Sequence, residues 1–355
     1  MRKTKEIRVG KIFIGGDWPI TVQTMTKTDS HDVRKTVEQV KELEKLSADI
    51  VRISIPDLDC VKTIREVKKE TSVPIVADIH FDYKIAIESI KAGVDKVRIN
   101  PGNIGAKWKV REIAKVAKDY NVPIRVGANS GSLKKEYLSK YDGDFANALV
   151  ESALDEIRIL ESVGFEDIVV ALKSSDVLTT IRANQLISQK VDYPLHLGIT
   201  EAGPSLFGTI KSSLGIGYLL LQGIGNTIRV SLSDEPEREV IVGRLILRSI
   251  GLEEGVEIVS CPTCSRTEID VIEVAKLVFE RTIHIKKKLK IAVMGCIVNG
   301  IGESENADIG IAGVRNGAVL FKDGKIIGTF SEEEALNELL KYIETISHPE
   351  VERPS

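Results

Sequence analysis

Short apolar runs alternate with amphipathic stretches along most of the chain. Eight such runs, rich in β-branched residues, precede residue 235, and most are bounded by Gly, Pro, Asp or Asn. Nearly continuous apolar runs are typical of strands that are buried on both faces of a parallel sheet. The predicted strands are Thr21–Met25, Ile50–Ile55, Pro74–Ile79, Lys96–Ile99, Ile124–Gly127, Ile168–Leu172, Leu195–Ile199 and Thr227–Leu232.

The stretches between these strands have the apolar spacing of helices. Val33–Leu46 and Ala146–Glu161 place apolar residues three or four positions apart, so each predicts a helix with one buried face. Eight strand–helix units over roughly 230 residues predict a closed (β/α)8 barrel, or TIM barrel, of the α/β class. An open doubly wound sheet is the alternative, although Thr24–Thr28 lacks the Gly-rich turn that usually follows the first strand of such a sheet.

The pattern changes on both sides of the predicted barrel. Ile7–Ile20 alternates around Gly15-Gly16-Asp17, which predicts a hairpin that plugs the bottom of the barrel. We predict a TIM-barrel, substrate-binding domain over residues 1–255 and a small α/β domain over residues 256–355. The predicted elements of the second domain are strands Val256–Ser260 and Ile291–Met294, helix Ile269–Arg281, a hairpin of Ala318–Phe321 with Lys325–Thr329, and helix Glu332–Ile346.

Composition narrows the classes of protein. The chain has 355 residues, of which 43% are hydrophobic, so it has enough apolar residues for a substantial core. Its formal net charge of −3 argues against a nucleic-acid partner. The N-terminus leads into no apolar signal region, and no window reaches the roughly 18 apolar residues of a membrane span. We therefore expect a cytoplasmic protein without a membrane partner, in which four cysteines serve a metal or catalysis rather than disulfides.

Cationic side chains recur where the predicted strands end. In a TIM barrel these carboxyl ends form the mouth, where active sites lie. One guanidinium group can donate hydrogen bonds to two phosphate oxygens at once. Five cations at one mouth therefore predict a substrate with more than one phosphate charge. The alternative is that each arginine pairs with an acid of its own layer, but Asp78 and Glu201 are too few for five cations. The polar strand-end residues are Arg52, Asp78, His80, Arg98, Asn100, Arg125, Asn129, Lys173, His196, Glu201, Arg229 and Ser231.

Three of the four cysteines form a second candidate site. Cys261 and Cys264 form a C-x-x-C motif, and Cys296 follows a predicted strand between two glycines. Three thiolates with a weak fourth position favour a catalytic [4Fe–4S] cluster, and Glu303 lies seven residues after Cys296. Structural zinc and a redox dithiol remain open as alternatives. We predict that Cys60, before a helix, takes no part in the site.

Six motifs together resemble the 4-hydroxy-3-methylbut-2-en-1-yl diphosphate synthase family of the non-mevalonate isoprenoid pathway, in its short two-domain bacterial form. The resemblance runs from about Ile7 to the final helix, without a departure at a motif position. The motifs are Val97-Arg-Ile-Asn-Pro-Gly-Asn103, Ile124-Arg-Val-Gly-Ala-Asn-Ser-Gly-Ser-Leu133, Ile199-Thr-Glu-Ala-Gly203, Ile228-Arg-Val-Ser-Leu232, Ser260-Cys-Pro-Thr-Cys-Ser-Arg-Thr267 and Met294-Gly-Cys-Ile-Val-Asn-Gly-Ile-Gly-Glu303.

This resemblance implies an iron–sulfur oxidoreductase. The enzyme would open and reduce 2-C-methyl-D-erythritol 2,4-cyclodiphosphate to (E)-4-hydroxy-3-methylbut-2-enyl diphosphate, with two electrons from ferredoxin or flavodoxin. It implies a homodimer in which each cluster domain caps the barrel of the other chain. Carried over by motif, Glu201, Glu303 and His80 would be catalytic, and Cys261, Cys264, Cys296 and Glu303 would bind the [4Fe–4S] cluster. The implied substrate-binding residues are Arg52, Arg98, Asn100, Arg125, Asn129, Lys173, Arg229 and Ser231.

A second hypothesis comes from a different class of protein. A phosphate-binding barrel with a structural zinc site in its tail would act as a binding or scaffold protein. The two hypotheses differ in colour, because an iron–sulfur protein absorbs visible light and a zinc protein does not.

Overall fold

The computed structural model describes residues 1–99, 104–298, 302 and 306–347. The chain divides into two compact units, unit 1 from Met1 to Leu252 and unit 2 from Glu253 to Ser355. Within the described residues, no helix combines the length and the apolar character that crossing a membrane requires.

Unit 1 is a ring of eight parallel strands with a hairpin below it. Neighbouring strands pair in the order β8-β7-β6-β5-β4-β3-β10-β9, and a bridge between Val170 and Leu195 joins the two ends of this series. The TIM-barrel prediction is therefore confirmed, and the alternative of an open doubly wound sheet is wrong. The hairpin is β1 (Ile7–Val9) and β2 (Ile12–Ile14); the barrel strands are β3 (Thr21–Met25), β4 (Ile50–Ser54), β5 (Ile75–Ile79), β6 (Lys96–Ile99), β7 (Ile124–Asn129), β8 (Ile168–Lys173), β9 (His196–Leu197) and β10 (Thr227–Ile228).

Helices follow the strands and cover the outside of the ring. Four of them begin at an aspartate whose carboxylate accepts a hydrogen bond from a backbone N–H of the first turn, which satisfies donors that the helix leaves unpaired. The helices of unit 1 are α1 (Val33–Lys45), α2 (Val61–Glu70), α3 (Tyr83–Lys91), α4 (Lys107–Asp119), α5 (Lys135–Lys140), α6 (Phe145–Glu161), α7 (Val177–Ser188), α8 (Ser205–Leu221) and α9 (Pro236–Ser249).

Side chains alternate between the helix layer and the interior of the ring. Val97 and Ile99 of β6 pack into the apolar core between strands and helices, as does Ile124 of β7. Because successive side chains of a strand point to opposite faces, Lys96 and Arg98 point into the ring. The interior of this barrel is thus lined by polar and charged groups, where many barrels pack aliphatic layers.

The hairpin closes the bottom of the ring. Val9 and Ile14 pack against Ile50 and Val76, which are early residues of two barrel strands. The predicted turn at Gly15–Asp17 is wrong, because Val9 pairs with Ile12 and the turn lies between them. Gly10 has a φ of 58° there, and a Cβ at this position would lie 2.6 Å from Asp95 Oδ1, so the turn requires glycine.

The described part of unit 2 is a five-stranded mixed sheet with two helices for which bounds can be given. The strands lie in the order β11-β12-β13-β14-β15; the first three are parallel, and the last two add antiparallel pairs. The sequence pattern did not predict β13. The elements are β11 (Val256–Ser260), α10 (Val271–Thr282), β12 (Leu289–Met294), β13 (Ile309–Val314), β14 (Gly317–Lys322), β15 (Lys325–Phe330) and α11 (Glu332–Ser347).

Candidate functional site

Cationic side chains from neighbouring strands meet inside the ring near its mouth. Arg52 of β4, Arg98 of β6, Arg125 of β7 and Lys173 of β8 are buried, and Arg229, directly after β10, is half-buried. They are close enough that the other cations lower the pKa of Arg125 and of Lys173, in addition to the larger effect of burial. The structure therefore brings together the five cations that the sequence places at strand ends.

Asp78 of β5 is the carboxylate at the centre of this group. Its Oδ1 accepts a hydrogen bond from Arg98 Nη1 at 2.9 Å, and its Oδ2 lies 3.7 Å from Arg52 Nε and 3.4 Å from His80 Nε2. Burial opposes its ionisation, but Arg52, His80 and Arg98 outweigh burial and hold the pKa of Asp78 well below its usual value. Asp78 is therefore ionised at neutral pH and orients two guanidinium groups toward the mouth.

Removing this charge is expected to destabilise the barrel. Asp78→Asn leaves two buried guanidinium groups without their counter-charge, which costs about 3–5 kcal/mol of unfolding free energy. Urea denaturation at pH 7 measures the loss, with the exposed Asp59→Asn as the matched control. A loss no larger than that of the control would show that Asp78 is not what holds Arg52 and Arg98. Because its folded pKa is depressed, the contribution of Asp78 is present above about pH 4 and is lost as the pH falls below that value.

Glu239 is a second buried carboxylate, which the sequence did not indicate. It belongs to α9, and its Oε2 accepts a hydrogen bond from Thr24 Oγ1 at 3.0 Å and lies 3.5 Å from Arg229 Nη2. Its Oε1 lies 3.7 Å from Lys27 Nζ. A search of strand ends misses Glu239 because the residue enters the interior from a helix.

The carboxylates pair with only some of the cations. Arg52, Arg98 and Arg229 each have an acid within 4 Å, although Arg52 and Arg98 share Asp78. In the described part of the chain, no ion pair forms to Arg125 or Lys173, and Nε and Nη1 of Arg125 are buried without a hydrogen-bond partner. Buried cations without counter-charge destabilise a fold unless an anion joins them, so the interior is built to bind an anion.

The remaining predicted residues lie at different distances from solvent. Asn129 ends β7 and is half-buried, as is Ser231, two residues beyond Arg229. His80 is exposed but in contact with Asp78. Glu201 is exposed, with a φ of 52°, and reaches no described cation of the group. Asn100 and Glu303 lie outside the described residues.

His196 of β9 is fully buried in the ring, and neither of its ring nitrogens has a hydrogen-bond partner among the described residues. Burial and then the cations Lys173, Arg125, Lys96 and Arg52 lower the pKa of His196 well below its usual value, so the imidazole is neutral. A neutral imidazole offers one donor and one acceptor, which suits a hydrogen bond and not the binding of a phosphate charge.

The cysteines of unit 2 lie at adjacent strand ends. β11 and β12 are parallel, with Ser260 opposite Val293, so Cys261 follows one strand end and Cys296 follows the next. The Gly295 N–H donates a hydrogen bond to Cys261 Sγ at 3.1 Å, and a Cβ on Gly295 would lie 3.0 Å from the Thr267 side chain. Glycine is therefore needed for this close approach between the two segments.

The loop that carries Cys264 is tied to the same place. The Cys264 N–H donates to Thr267 Oγ1 at 2.9 Å, and the Glu268 N–H donates to Gly295 O at 2.8 Å. Thr263 has a φ of 63°, a strained value for a β-branched residue that is typical of functional sites. Three thiols that are not fully buried, one of them accepting a backbone N–H, fit the donor set of an iron–sulfur cluster.

Cys60 belongs to a separate group in unit 1. His31 Nε2 lies 2.8 Å from Asp57 Oδ2, and one ligand atom from each of His31, Asp57 and Cys60 lies within 4.8 Å of the other two. Burial, with Asp57 nearby, raises the pKa of Cys60 to about 11, so its thiol is protonated. No motif in the sequence connects these residues.

Two family models match the chain. The GcpE TIM-barrel domain matches residues 4–244, and the GcpE protein C-terminal domain matches residues 257–345. A protein of Caldanaerobacter subterraneus is 58% identical over 97% of this chain and 98% of its own length. One of Thermotoga maritima is 52% identical over 98% of this chain and 99% of its own length. Both are named 4-hydroxy-3-methylbut-2-en-1-yl diphosphate synthase (flavodoxin).

Two solved structures resemble part of this chain. The dihydropteroate synthase of Yersinia pestis in complex with a sulfonamide drug superimposes with a TM-score of 0.51 at 11% identity. That of Vibrio fischeri gives a TM-score of 0.50 at 13% identity. Each covers 70% of this chain and nearly all of its own length, and at such low identity the likeness concerns the fold.

Proposed function

Because this chain belongs to the GcpE family of 4-hydroxy-3-methylbut-2-en-1-yl diphosphate synthases, we propose that it is an iron–sulfur oxidoreductase that opens and reduces a cyclic diphosphate. Its substrate is 2-C-methyl-D-erythritol 2,4-cyclodiphosphate, and its product is (E)-4-hydroxy-3-methylbut-2-enyl diphosphate. The alternative of a binding or scaffold protein with a zinc site is not supported, since the relatives are enzymes.

The reaction changes the charge of the ligand. One carbon–oxygen bond to the ring phosphate breaks, a hydroxyl group leaves as water, and a carbon–carbon double bond forms. Two electrons and one proton convert the cyclodiphosphate dianion and yield the product as a trianion and one water. The site must therefore bind a doubly charged ligand and stabilise a third negative charge as the ring opens.

One observation carries the proposal: the barrel interior holds buried cations in excess of its carboxylates. Arg125 and Lys173 have no described carboxylate partner, and Arg52 and Arg98 share Asp78. A cyclic diphosphate supplies the missing negative charge, and its phosphate oxygens suit the forked donors of arginine. We assign Arg52, Arg98, Arg125, Lys173 and Arg229 to the diphosphate, and Asn100, Asn129 and Ser231 to the diphosphate and hydroxyl oxygens.

Two further groups handle protons in this proposal. His80 is exposed at the mouth and contacts Asp78, so it can exchange protons with solvent while the carboxylate orients its ring. Glu201 follows β9 in chain order, and its exposed carboxylate is the second candidate for proton transfer. We assign Glu303 a double role, as a catalytic residue and as a ligand.

Cys261, Cys264, Cys296 and Glu303 would hold a [4Fe–4S] cluster. The contacts of Gly295 and Thr267 with the cysteine loop support this assignment for the three cysteines. When bound, such a cluster supplies electrons one at a time and a Lewis-acidic iron. Reduced flavodoxin is the proposed donor, because the relatives are named for it, and ferredoxin is the alternative.

We further propose a homodimer in which the cluster domain of one chain caps the barrel of the other. The chain leaves unit 1 after α9, and a helix that follows a barrel strand ends at the face opposite the strand carboxyl ends. Helix α8 has an exposed apolar face, and Lys211 is the one charged residue of this helix. Two copies of the face can therefore pack together with little repulsion between like charges. The face consists of Leu206, Phe207, Ile210, Leu214, Tyr218 and Leu221.

Mixing two inactive variants tests this arrangement. Chains with Cys296→Ala and chains with Arg125→Ala are expected to regain roughly a quarter of wild-type activity, because half of the dimers are hybrids with one intact composite site. The same mixture with Leu214→Asp in both chains should be monomeric by light scattering and inactive. Hybrid dimers that form and remain inactive would contradict the exchange of cluster domains.

Anaerobic reconstitution tests the proposed reaction. Protein loaded with iron and sulfide is supplied with reduced flavodoxin and the cyclodiphosphate, and phosphorus NMR follows the conversion to product. Protein loaded with zinc is the matched control. Conversion by the iron-loaded protein alone supports the proposal, and equal conversion or none in both samples argues against it.

A further inference from the structure

The interior of the barrel contains a buried lysine that the proposed function does not use. Lys96 begins β6, two residues before Arg98 and on the same face of the strand, so it lies one layer deeper in the ring. Its side chain is completely buried, and Nζ has no hydrogen-bond partner in the part of the chain that the structure describes. Below it, Val76, its neighbour on β5, packs with Val9 and Ile14 of the hairpin, which closes that end to solvent.

The groups around Lys96 are mainly cations. Arg52 on β4, Arg125 on β7 and His196 on β9 interact with it electrostatically. Arg229 after β10 lies in the same interior, as does Lys173 on β8, whose pKa burial and the surrounding arginines also lower well below its usual value. Of the two interior carboxylates, Asp78 on β5 is shared by Arg52 and Arg98, and Glu239 on α9 contacts Arg229 and Lys27.

An ammonium group in this position is unfavourable. Transfer of an unpaired charge into a dry interior is costly, and the group loses its proton instead. Burial, followed by Arg125 and Arg52, lowers the pKa of Lys96 to about 7. Gln23 and Thr21 on β3 and Thr227 on β10 are further buried polar residues with side-chain atoms for which the described residues supply no hydrogen-bond partner.

We propose that Lys96 is a neutral amine in the free protein and takes up a proton when a polyanion binds above it. The inference rests on the proposed function, since the polyanion is the cyclodiphosphate. Binding of two negative charges one layer above reverses the potential that keeps Lys96 neutral. The site therefore already holds a sixth cation when ring opening adds a third negative charge to the ligand. Lys96 is thus a positioning residue, because it acts on the ligand through the arginines above it.

The ligand-free protein tests the first half of the proposal. A folded pKa below the unfolded value of about 10.4 means that the unfolded chain binds more protons between these values, so the stability that Lys96 contributes rises with pH in this window. Lys96→Met is expected to melt several degrees above wild type at pH 6.5, and the gap should close toward pH 9.5. Lys96→Gln is the second variant, and the exposed Lys62→Met is the control. A gap that is independent of pH would overturn the proposal.

Calorimetry tests the second half. The cyclodiphosphate is titrated anaerobically into each protein at pH 8 in buffers with different ionisation enthalpies, which gives the number of protons taken up. This probe has no ionisation near pH 8, because each of its phosphates has one ester and one anhydride bond and lacks the second ionisation near pH 6 of a phosphate monoester. Wild type is expected to take up close to one proton per site more than Lys96→Met, since an amine with a pKa of about 7 is mostly neutral at pH 8.

The outcomes separate the two levels of the argument. Binding with equal proton uptake by wild type and Lys96→Met would assign the uptake to another group, such as Lys173 or His196, and would overturn the inference while leaving the proposed function intact. Absence of binding in every protein would overturn the proposed function and the inference with it. An uptake that is smaller by about one proton in both Lys96 variants and unchanged in Lys62→Met supports the proposal.

Discussion

Replacing Cys296 with serine is expected to reduce turnover to the limit of detection and to remove most of the visible absorption of the reconstituted protein. Cys296 follows β12 directly beside the loop of Cys261, so its loss leaves two thiols at a site that needs three. A serine hydroxyl is a poor ligand for iron in a cluster, which prefers soft thiolates. Iron and sulfide analysis with an anaerobic absorption spectrum measures the loss.

Cys60→Ala is the matched control for this variant. Its thiol is buried in unit 1 and protonated, and it takes no part in the proposed cluster site. We expect this control to keep its full iron and sulfide content and its turnover. If Cys296→Ser retained both at the wild-type level, the cysteine assignment would be wrong.

Replacing Arg125 with methionine is expected to weaken binding of the cyclodiphosphate and to raise thermal stability at the same time. The side chain is 3% exposed, and its nearest charged neighbours include Arg52 and Arg98. Loss of charge-assisted hydrogen bonds worth roughly 1.5–3 kcal/mol weakens binding about 10- to 150-fold. Removal of a buried charge without a counter-charge relieves repulsion in the free protein.

Two further variants make this result specific. Arg125→Lys keeps the charge but loses the forked donor geometry, so we expect it also to bind more weakly than wild type. Arg34→Met removes an exposed arginine of α1 and should change neither binding nor melting temperature. Calorimetric titration and thermal denaturation provide the two measurements. Unchanged binding in both Arg125 variants would show that the residue has a structural role only.

The barrel could be predicted from the sequence because the strand residues that face the helices are apolar and recur in every strand. Val97, Ile99 and Ile124 face the helix layer, and such residues made each strand visible as an apolar run. The same apolar pattern does not indicate which polar residues point into the ring. Lys96 stands at the start of a strand, where a search of carboxyl ends does not look, and Glu239 reaches the interior from a helix. Both residues become visible only when the eight strands are closed into a ring.

Local errors have local physical causes. The hairpin turn was placed at Gly15–Asp17 because two glycines and an aspartate are a strong turn signal, but a single glycine with a positive φ, Gly10, is enough for a tight turn. Strand β13 was missed because Gly310 and Gly313 weaken the strand pattern. A Cβ on Gly310 would lie 2.4 Å from Ala292 O, so the glycine serves close packing of adjacent strands.

The residue types of the candidate site could be predicted from the sequence, but the ion pairs between them could not. Arg52, Arg98 and Arg125 are equivalent in the sequence, and only the structure distinguishes the two that share Asp78 from the one that has no described acid partner. Pairing depends on strand order and register, since Asp78 stands opposite Arg98, and these are properties of the closed sheet. The roles of Asn100 and Glu303 depend on their motifs alone.

Electron stoichiometry is the most direct test of the central claim that this protein reduces a cyclic diphosphate through an iron–sulfur centre. In one sealed sample, the oxidation of flavodoxin is followed by its absorption while phosphorus NMR counts the diphosphate formed. We predict two electrons consumed for each product molecule, and no consumption without the cyclodiphosphate or with Cys296→Ser. Product that forms without electron consumption, or electrons consumed without product, would contradict the account.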